Sequence, residues 1–302
     1  MRYLKRIGAI ALSALLCFGP ALFGSSVAVQ AASLTVGGKD FTEQFLMAEM
    51  TKQLLESKGY EVDKKDGMGS NIVRAALESG EVDLYWEYTG TSLITFNKVT
   101  DKLSPEATYE KVRELDGKKG LVWLKPSKAN DTYALAIRKG NPKTDGMVTI
   151  SDLAAAYNAG KKPLMATTAE FTKREDGLLG LQKTYGFKAG RANIRPIEIG
   201  LVYPALGNGD VDIAVVGATD GRVAAMKLIL LKDDKNFFPN YAMVPVVRKE
   251  TLDAHPDLQG ILEALADKLD DATMQKLNGE VDVERKSIHD VATEFLKAQG
   301  LI

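Results

Sequence analysis

One nine-residue pattern occurs twice in this chain. Ala76-Leu77-Glu78-Ser79-Gly80-Glu81-Val82-Asp83-Leu84 and Ala205-Leu206-Gly207-Asn208-Gly209-Asp210-Val211-Asp212-Ile213 both read Ala-Leu-x-x-Gly-acid-Val-Asp-aliphatic, 129 positions apart. Each reads as a helix end, a glycine stop and a buried strand. Any helix–strand unit can take this form. The alternative is two lobes of one design that present the same strand end to a shared cleft. Ligands of open α/β sheets bind beyond the carboxyl ends of the strands, so two such lobes facing each other make a clamp. The repeat also sets up a correspondence at those strand ends, where Tyr88 of the first unit matches Gly217 of the second.

The rest of the chain alternates strand and helix. Residues 34–36 read as a short strand. Asp40 then looks like a helix N-cap with Glu43 three residues on, and Gly59 ends that helix. Ser70 or Asn71 caps the next helix, which Gly80 stops. Residues 82–86 form a strand, Ser104-Pro105 opens a helix, and residues 133–137 form another strand before a turn at 139–142. A second set of units runs from 150 to about 231. Residues 241–247 are strand-like. The tail closes with helices, the last carrying Ile288, Val291, Ala292, Phe295 and Leu296 on one face.

The N-terminus carries Arg2, Lys5 and Arg6, then an apolar run from Ile7 to Phe18, then Pro20, Gly24 and small residues up to Ala31. This is the three-part pattern of a cleaved export signal, residues 1–31, and the run is too short to span a bilayer, which takes roughly 20 apolar residues. Leu16 before Cys17 argues against lipid attachment. Removing three basic residues from 39 leaves 36 against 40 acidic ones, and no cysteine. A periplasmic, soluble protein is expected. That balance also excludes a basic nucleic-acid binder. With one cysteine and two histidines, His255 and His289, a disulfide framework is impossible and a Cys/His metal site, which takes three or four such ligands, has too few. No phosphate-binding glycine loop is present, and no nucleophile–base pair stands out. An enzyme is not expected, nor a cofactor or a metal.

Five motifs occur in order: Gly38-Lys39-Asp40-Phe41-Thr42-Glu43-Gln44, Asp83-Leu84-Tyr85-Trp86-Glu87-Tyr88-Thr89-Gly90-Thr91, Arg174-Glu175-Asp176-Gly177, Thr219-Asp220-Gly221-Arg222 and Asp233-Asp234-Lys235-Asn236-Phe237-Phe238-Pro239. Together they resemble the substrate-binding proteins of ABC importers for quaternary ammonium osmoprotectants such as glycine betaine, choline and carnitine. The resemblance implies a type II periplasmic-binding-protein fold, α/β, with two lobes joined by two crossing segments that close on the ligand. The crossings are expected near 137–139 and 241–244, with lobe 1 as 34–137 plus 243–302 and lobe 2 as 138–242. The implied partners are a membrane permease and its ATPase, and the binding protein is expected to be a monomer.

A trimethylammonium head has no N–H, so its recognition must come from aromatic faces. The resemblance implies Tyr88, Tyr133 and Tyr241 as walls of a box around it. A fourth tyrosine common in the family falls at Gly217, so one wall is missing, and it is the wall the internal repeat pairs with Tyr88. The freed room suggests a bulkier betaine or weak binding of small ones. Lys39, Thr91 and Arg174 are implied as donors to a ligand carboxylate, with an ion pair of Arg174 to Asp176 or Glu175 as the alternative. Thr219 of the Thr-Asp-Gly motif completes the expected site. Tyr203 and Phe171 are lesser candidates for the missing wall. An amino acid or other small zwitterion on the same fold is the competing reading, with Asp220 or Glu87 as acceptors for its N–H groups.

Overall fold

The computed structural model describes residues 33–302; the expected export signal lies outside the described residues. The described chain runs β1 (Ser33–Lys39), α1 (Thr42–Ser57), β2 (Glu61–Met68), α2 (Ser70–Ser79), β3 (Leu84–Tyr88), α3 (Pro105–Gly117), β4 (Leu121–Trp123), β5 (Tyr133–Ile137), α4 (Ile150–Asn158), β6 (Met165–Thr167), α5 (Leu178–Tyr185), β7 (Ile194–Pro196), α6 (Ile199–Asn208), β8 (Ile213–Gly217), α7 (Gly221–Ala225), β9 (Ile229–Leu231), β10 (Met243–Arg248), α8 (Lys249–Ala254), α9 (Asp257–Ala266), α10 (Asp271–Asp282) and α11 (Ile288–Ala298).

The strands form two five-stranded sheets, ordered β2-β1-β3-β10-β4 and β7-β6-β8-β5-β9. Strand for strand the two orders are the same. Each has three parallel strands followed by antiparallel partners, β10 beside β3 in one and β5 beside β8 in the other. The sequence repeat is the local signature of this equivalence. Gly80 and Gly209 close α2 and α6 in the left-handed region, at φ 86° and 84°, where a Cβ is strained. In both units the next two N–H groups donate back to Ala76 O and Ala205 O. Asp83 Oδ2 accepts from Thr35 N, and Asp212 Oδ2 from Leu164 N, each at 2.8 Å, tying the strand to its parallel neighbour.

The first crossing lies earlier than the expected 137–139. Residues 133–137 pair with β8 and β9, so β5 belongs to the second sheet and the chain crosses within 124–132. The return crossing runs through 232–242. The two segments touch as an antiparallel bridge at Asn130 and Ala242, and Asn130 Oδ1 accepts from Tyr241 N at 2.7 Å. Residues at these crossings therefore sit beside both sheets.

Packing follows the sequence pattern. Trp86 is buried in the core, and its indole donates to Thr51 Oγ1 at 2.9 Å. Helix α11 packs on α1 and buries Val291, Ala292, Phe295 and Leu296. Each large apolar side chain so buried contributes about 2 kcal/mol. Ser104 caps α3 as expected, accepting from Ala107 N. Helix α1 differs: its N-cap is Phe41, with no side-chain cap, and neither Asp40 nor Glu43 serves that end. Glu43 turns into the cleft instead. Among the described residues no helix is long and apolar enough to cross a membrane.

Candidate functional site

The carboxyl ends of β1, β3, β6 and β8 converge with the two crossings on one cavity of about 350 Å³, within the usual range of small-molecule sites. All eight residues expected from the sequence line it: Lys39, Tyr88, Thr91, Tyr133, Arg174, Gly217, Thr219 and Tyr241. Lys39 ends β1 and Tyr88 ends β3. Thr91 opens the helical turn after β3. Tyr133 starts β5 and Gly217 ends β8, paired with each other across the ladder. Tyr241 ends the return crossing. Its ring comes so near Gly90 that a Cβ there would meet ring carbons at 2.8 Å, which explains the glycine.

Two of the three tyrosines meet edge to face. Tyr133 and Tyr241 have ring centroids 5.3 Å apart, and Phe171 braces Tyr133 at 5.0 Å. Phe171 is thus a buttress and does not line the cavity. Two of the tyrosine hydroxyls donate to fixed acceptors, Tyr88 to Glu43 Oε1 at 2.8 Å and Tyr241 to Asp176 Oδ2 at 2.8 Å. Such anchoring holds the ring planes while leaving their faces for apolar and cationic contact.

The two charged residues among the expected carboxylate donors, Lys39 and Arg174, are already paired. Lys39 Nζ lies 2.5 Å from Glu87 Oε1, with both groups buried, and 4.8 Å from the Tyr88 centroid. Arg174 holds Asp176 through Nε and Nη2, Glu170 through Nη1 at 2.7 Å and Thr91 Oγ1 at 3.3 Å. The ion-pair alternative raised by the sequence is therefore what forms, with Asp176 and Glu170. Thr91 lies in one lobe and Arg174 in the other, so this contact spans the cleft. Arg222 pairs with Asp220 at 2.5 Å and lies over the Tyr203 ring at 4.0 Å. Asp220 and Glu87, the acceptors a primary ammonium was expected to use, are both occupied.

Sequence reasoning missed two carboxylates. Glu43 is 3% exposed and accepts from Tyr88 OH, Thr219 Oγ1 at 2.6 Å and Asn278 Nδ2 at 3.1 Å, linking both lobes and the C-terminal α10. Burial pushes its pKa up, against the pull of those hydrogen bonds. Asp131 lies in the first crossing, two residues before Tyr133, a spacing that puts it on the same face of an extended segment. Burial, reinforced by the Glu43 charge, holds its carboxyl well above the usual range. The alternation before Tyr133 was a usable signal for Asp131. Nothing local marked Glu43, because its partners lie 45, 176 and 235 positions away.

Gly217 does not leave the room the sequence suggested. A Cβ built there would sit 2.5 Å from Asp131 Oδ1. Tyr203 reaches the same place from below, its hydroxyl accepting from Gly217 N at 3.4 Å.

The chain's relatives fit this geometry. The family described as the substrate binding domain of the ABC-type glycine betaine transport system matches residues 32–298. A glycine-betaine-binding protein of Pseudomonas aeruginosa is 44% identical over 95% of this chain and 94% of its own length. The glycine betaine-binding protein YehZ of Escherichia coli is 35% identical over 91% and 93%. A crystal structure described as a glycine betaine/carnitine/choline ABC transporter superposes with a TM-score of 0.70 at 29% identity, covering 90% of this chain and 99% of that one. The two-lobe α/β architecture is that of periplasmic binding proteins, and the chain belongs to the family of substrate-binding domains of ABC-type glycine betaine transport systems.

Proposed function

We propose that this chain captures a quaternary ammonium solute in the periplasm and delivers it to a membrane permease driven by its ATPase, acting as a monomer after loss of its export signal. The ligand class is glycine betaine, choline, carnitine or a related betaine. The observation that carries this reading is the convergence of Tyr88, Tyr133 and Tyr241, drawn from β3, β5 and the return crossing, on one cavity. A head group without N–H donors needs such faces, each contributing about 2 kcal/mol once desolvated. Thr219 meets Glu43 across the cleft, and Arg174 meets Thr91, so closure brings the two sets of residues together around the ligand.

A ligand carboxylate would have to share Arg174 with Asp176 and Glu170, or Lys39 with Glu87. Thermal-shift and calorimetric titration with glycine betaine, choline, carnitine and ergothioneine test the proposal, since a ligand that binds only the folded state raises Tm. Tyr88→Ala is expected to lower affinity at least tenfold for whichever binds. Binding of none of them, or an unchanged affinity in Tyr88→Ala, sinks it. Glycine and proline belong in the same screen, because a primary or secondary ammonium would favour the zwitterion alternative.

A further inference from the structure

We propose that Asp131 is a ligand-binding residue whose carboxylate forms the fourth wall of the cation site, in the place where an aromatic ring at position 217 would stand. This rests on the quaternary ammonium reading and specifies what the site selects: a full positive charge, as well as a methylated shape. The first support is steric. The Cβ direction of Gly217 leads directly onto the Asp131 carboxylate, with Oδ1 at 2.5 Å, Cγ at 3.3 Å and Oδ2 at 3.4 Å. Position 217 and Asp131 are therefore alternatives for one space. Tyr133, paired with Gly217 across the ladder, places its ring beside that space.

The second support is charge. Six acidic and three basic residues line the cavity. All three bases are matched, Lys39 by Glu87, Arg174 by Asp176 and Glu170, and Arg222 by Asp220 and Asp282. Asp40 and Glu198 are exposed at the mouth. Glu43 and Asp131 remain, and among the described residues neither has a Lys, Arg or His in ion-pair contact. Glu43 is satisfied by three hydrogen bonds. Asp131 has one long contact, from Thr219 N at 3.5 Å. Asp131 is half-buried, so without a counter-charge its carboxylate is partly desolvated, and a cation that enters the cavity offsets that cost.

The third support is that other polar atoms of the cavity also lack partners. Thr167 Oγ1 and Asn278 Oδ1 are buried without a hydrogen-bond partner, and both residues line the same cavity. These two atoms leave hydrogen-bonding capacity in the cavity wall.

The test uses choline and glycine betaine as probes, with calorimetry and thermal unfolding of the full mature chain. Asp131→Asn is expected to weaken both probes at least tenfold while raising the ligand-free Tm by about 2 °C or more. A purely structural aspartate would give a lower Tm instead. Gly217→Tyr alone is expected to lose binding, because the ring and the carboxylate compete for one space. Asp131→Ala combined with Gly217→Tyr is expected to recover to within tenfold of wild type. The proposal is overturned if Asp131→Asn binds as wild type, if its affinity and Tm fall together, or if the double variant is no better than Gly217→Tyr. Those results leave the quaternary ammonium reading standing when Tyr88→Ala still abolishes binding. A wild-type chain that binds none of choline, glycine betaine, carnitine and ergothioneine overturns both.

Discussion

Asp116 is a buried carboxylate and Asp131 a half-buried one, and their surroundings are opposite. Asp116 ends α3 with no exposure. Arg74 grips it through Nη1 at 2.8 Å and Nη2 at 2.7 Å, and Ser92, Asn97 and Trp123 donate to it as well. Burial opposes ionisation there, but the Arg74 hydrogen bonds and charge outweigh it and hold the pKa at about 2. Asp131 has no such partner, and burial with the nearby Glu43 charge drives it the other way. The first site finishes its chemistry inside the protein. The second leaves it unfinished, and the unfinished one lies in the cavity between the lobes. Of these two carboxylates, the one that lacks a compensating charge is the one in the cavity.

The largest effect expected from this contrast is on stability. Asp116→Ala strands the Arg74 guanidinium in the core and is expected to cost about 3–5 kcal/mol, read as a lower urea midpoint. Ligand affinity of the folded fraction should not move. An affinity loss comparable to that of Tyr88→Ala would show that the two sites are not separate.

The pH dependence of stability should divide the same way. The folded pKa of Asp116 is below the unfolded value near 3.8, so its contribution is present above about pH 4 and is lost as pH falls towards 2. That loss is about 2 kcal/mol. Asp131 has the opposite sign. Its folded pKa is raised, so the native state takes up a proton where the unfolded chain does not, and acidification from neutrality towards pH 4 relieves the native state. The charges of Glu43 on α1 and Asp220 before α7 face it and add to the rise at Asp131. The Tm advantage of ligand-free Asp131→Asn over wild type should therefore shrink between pH 7 and pH 4. A gap that stays constant over that range would mean that folding does not raise the Asp131 pKa.

The part of this that was legible in the sequence was local. The repeat at Ala76 and Ala205 encoded two matching lobes because the glycine stop, the following N–H pair and the Asp83 or Asp212 clamp are all made within a few residues of the pattern or to the adjoining strand. The site tyrosines were legible through motif resemblance, which placed Tyr88, Tyr133 and Tyr241 on one cavity. What stayed hidden depended on distant partners. Glu43 looked like a capping-box residue, and only the approach of Thr219 and Asn278 shows another use. The first crossing was placed too late because a strand's own residues do not say which sheet it joins. Gly217 looked like added space because the neighbour that fills it, Asp131, comes 86 positions earlier.

The smallest effect expected separates closure from wall chemistry. Helix α7 of the second sheet meets α10 at Gly221 and Gly279. A Cβ on Gly221 would lie 2.6 Å from Gly279 Cα and 2.7 Å from Gln275 O, both backbone atoms that cannot swing aside. A Cβ on Gly279 meets Gly221 Cα at 3.8 Å, an ordinary contact. Gly221→Ala must therefore push α7 from α10 and loosen the Gln275–Ala218 O bond at 3.0 Å and the Arg222–Asp282 pair at 3.2 Å, both of which hold the lobes together. Affinity should fall about fivefold, the lower end of what a conformational equilibrium transmits, and by the same factor for choline and glycine betaine. Gly279→Ala should stay within twofold of wild type. Equal losses in the two variants would remove the α7–α10 contact from closure, and the unfinished charge at Asp131 would then have to be completed without help from that latch.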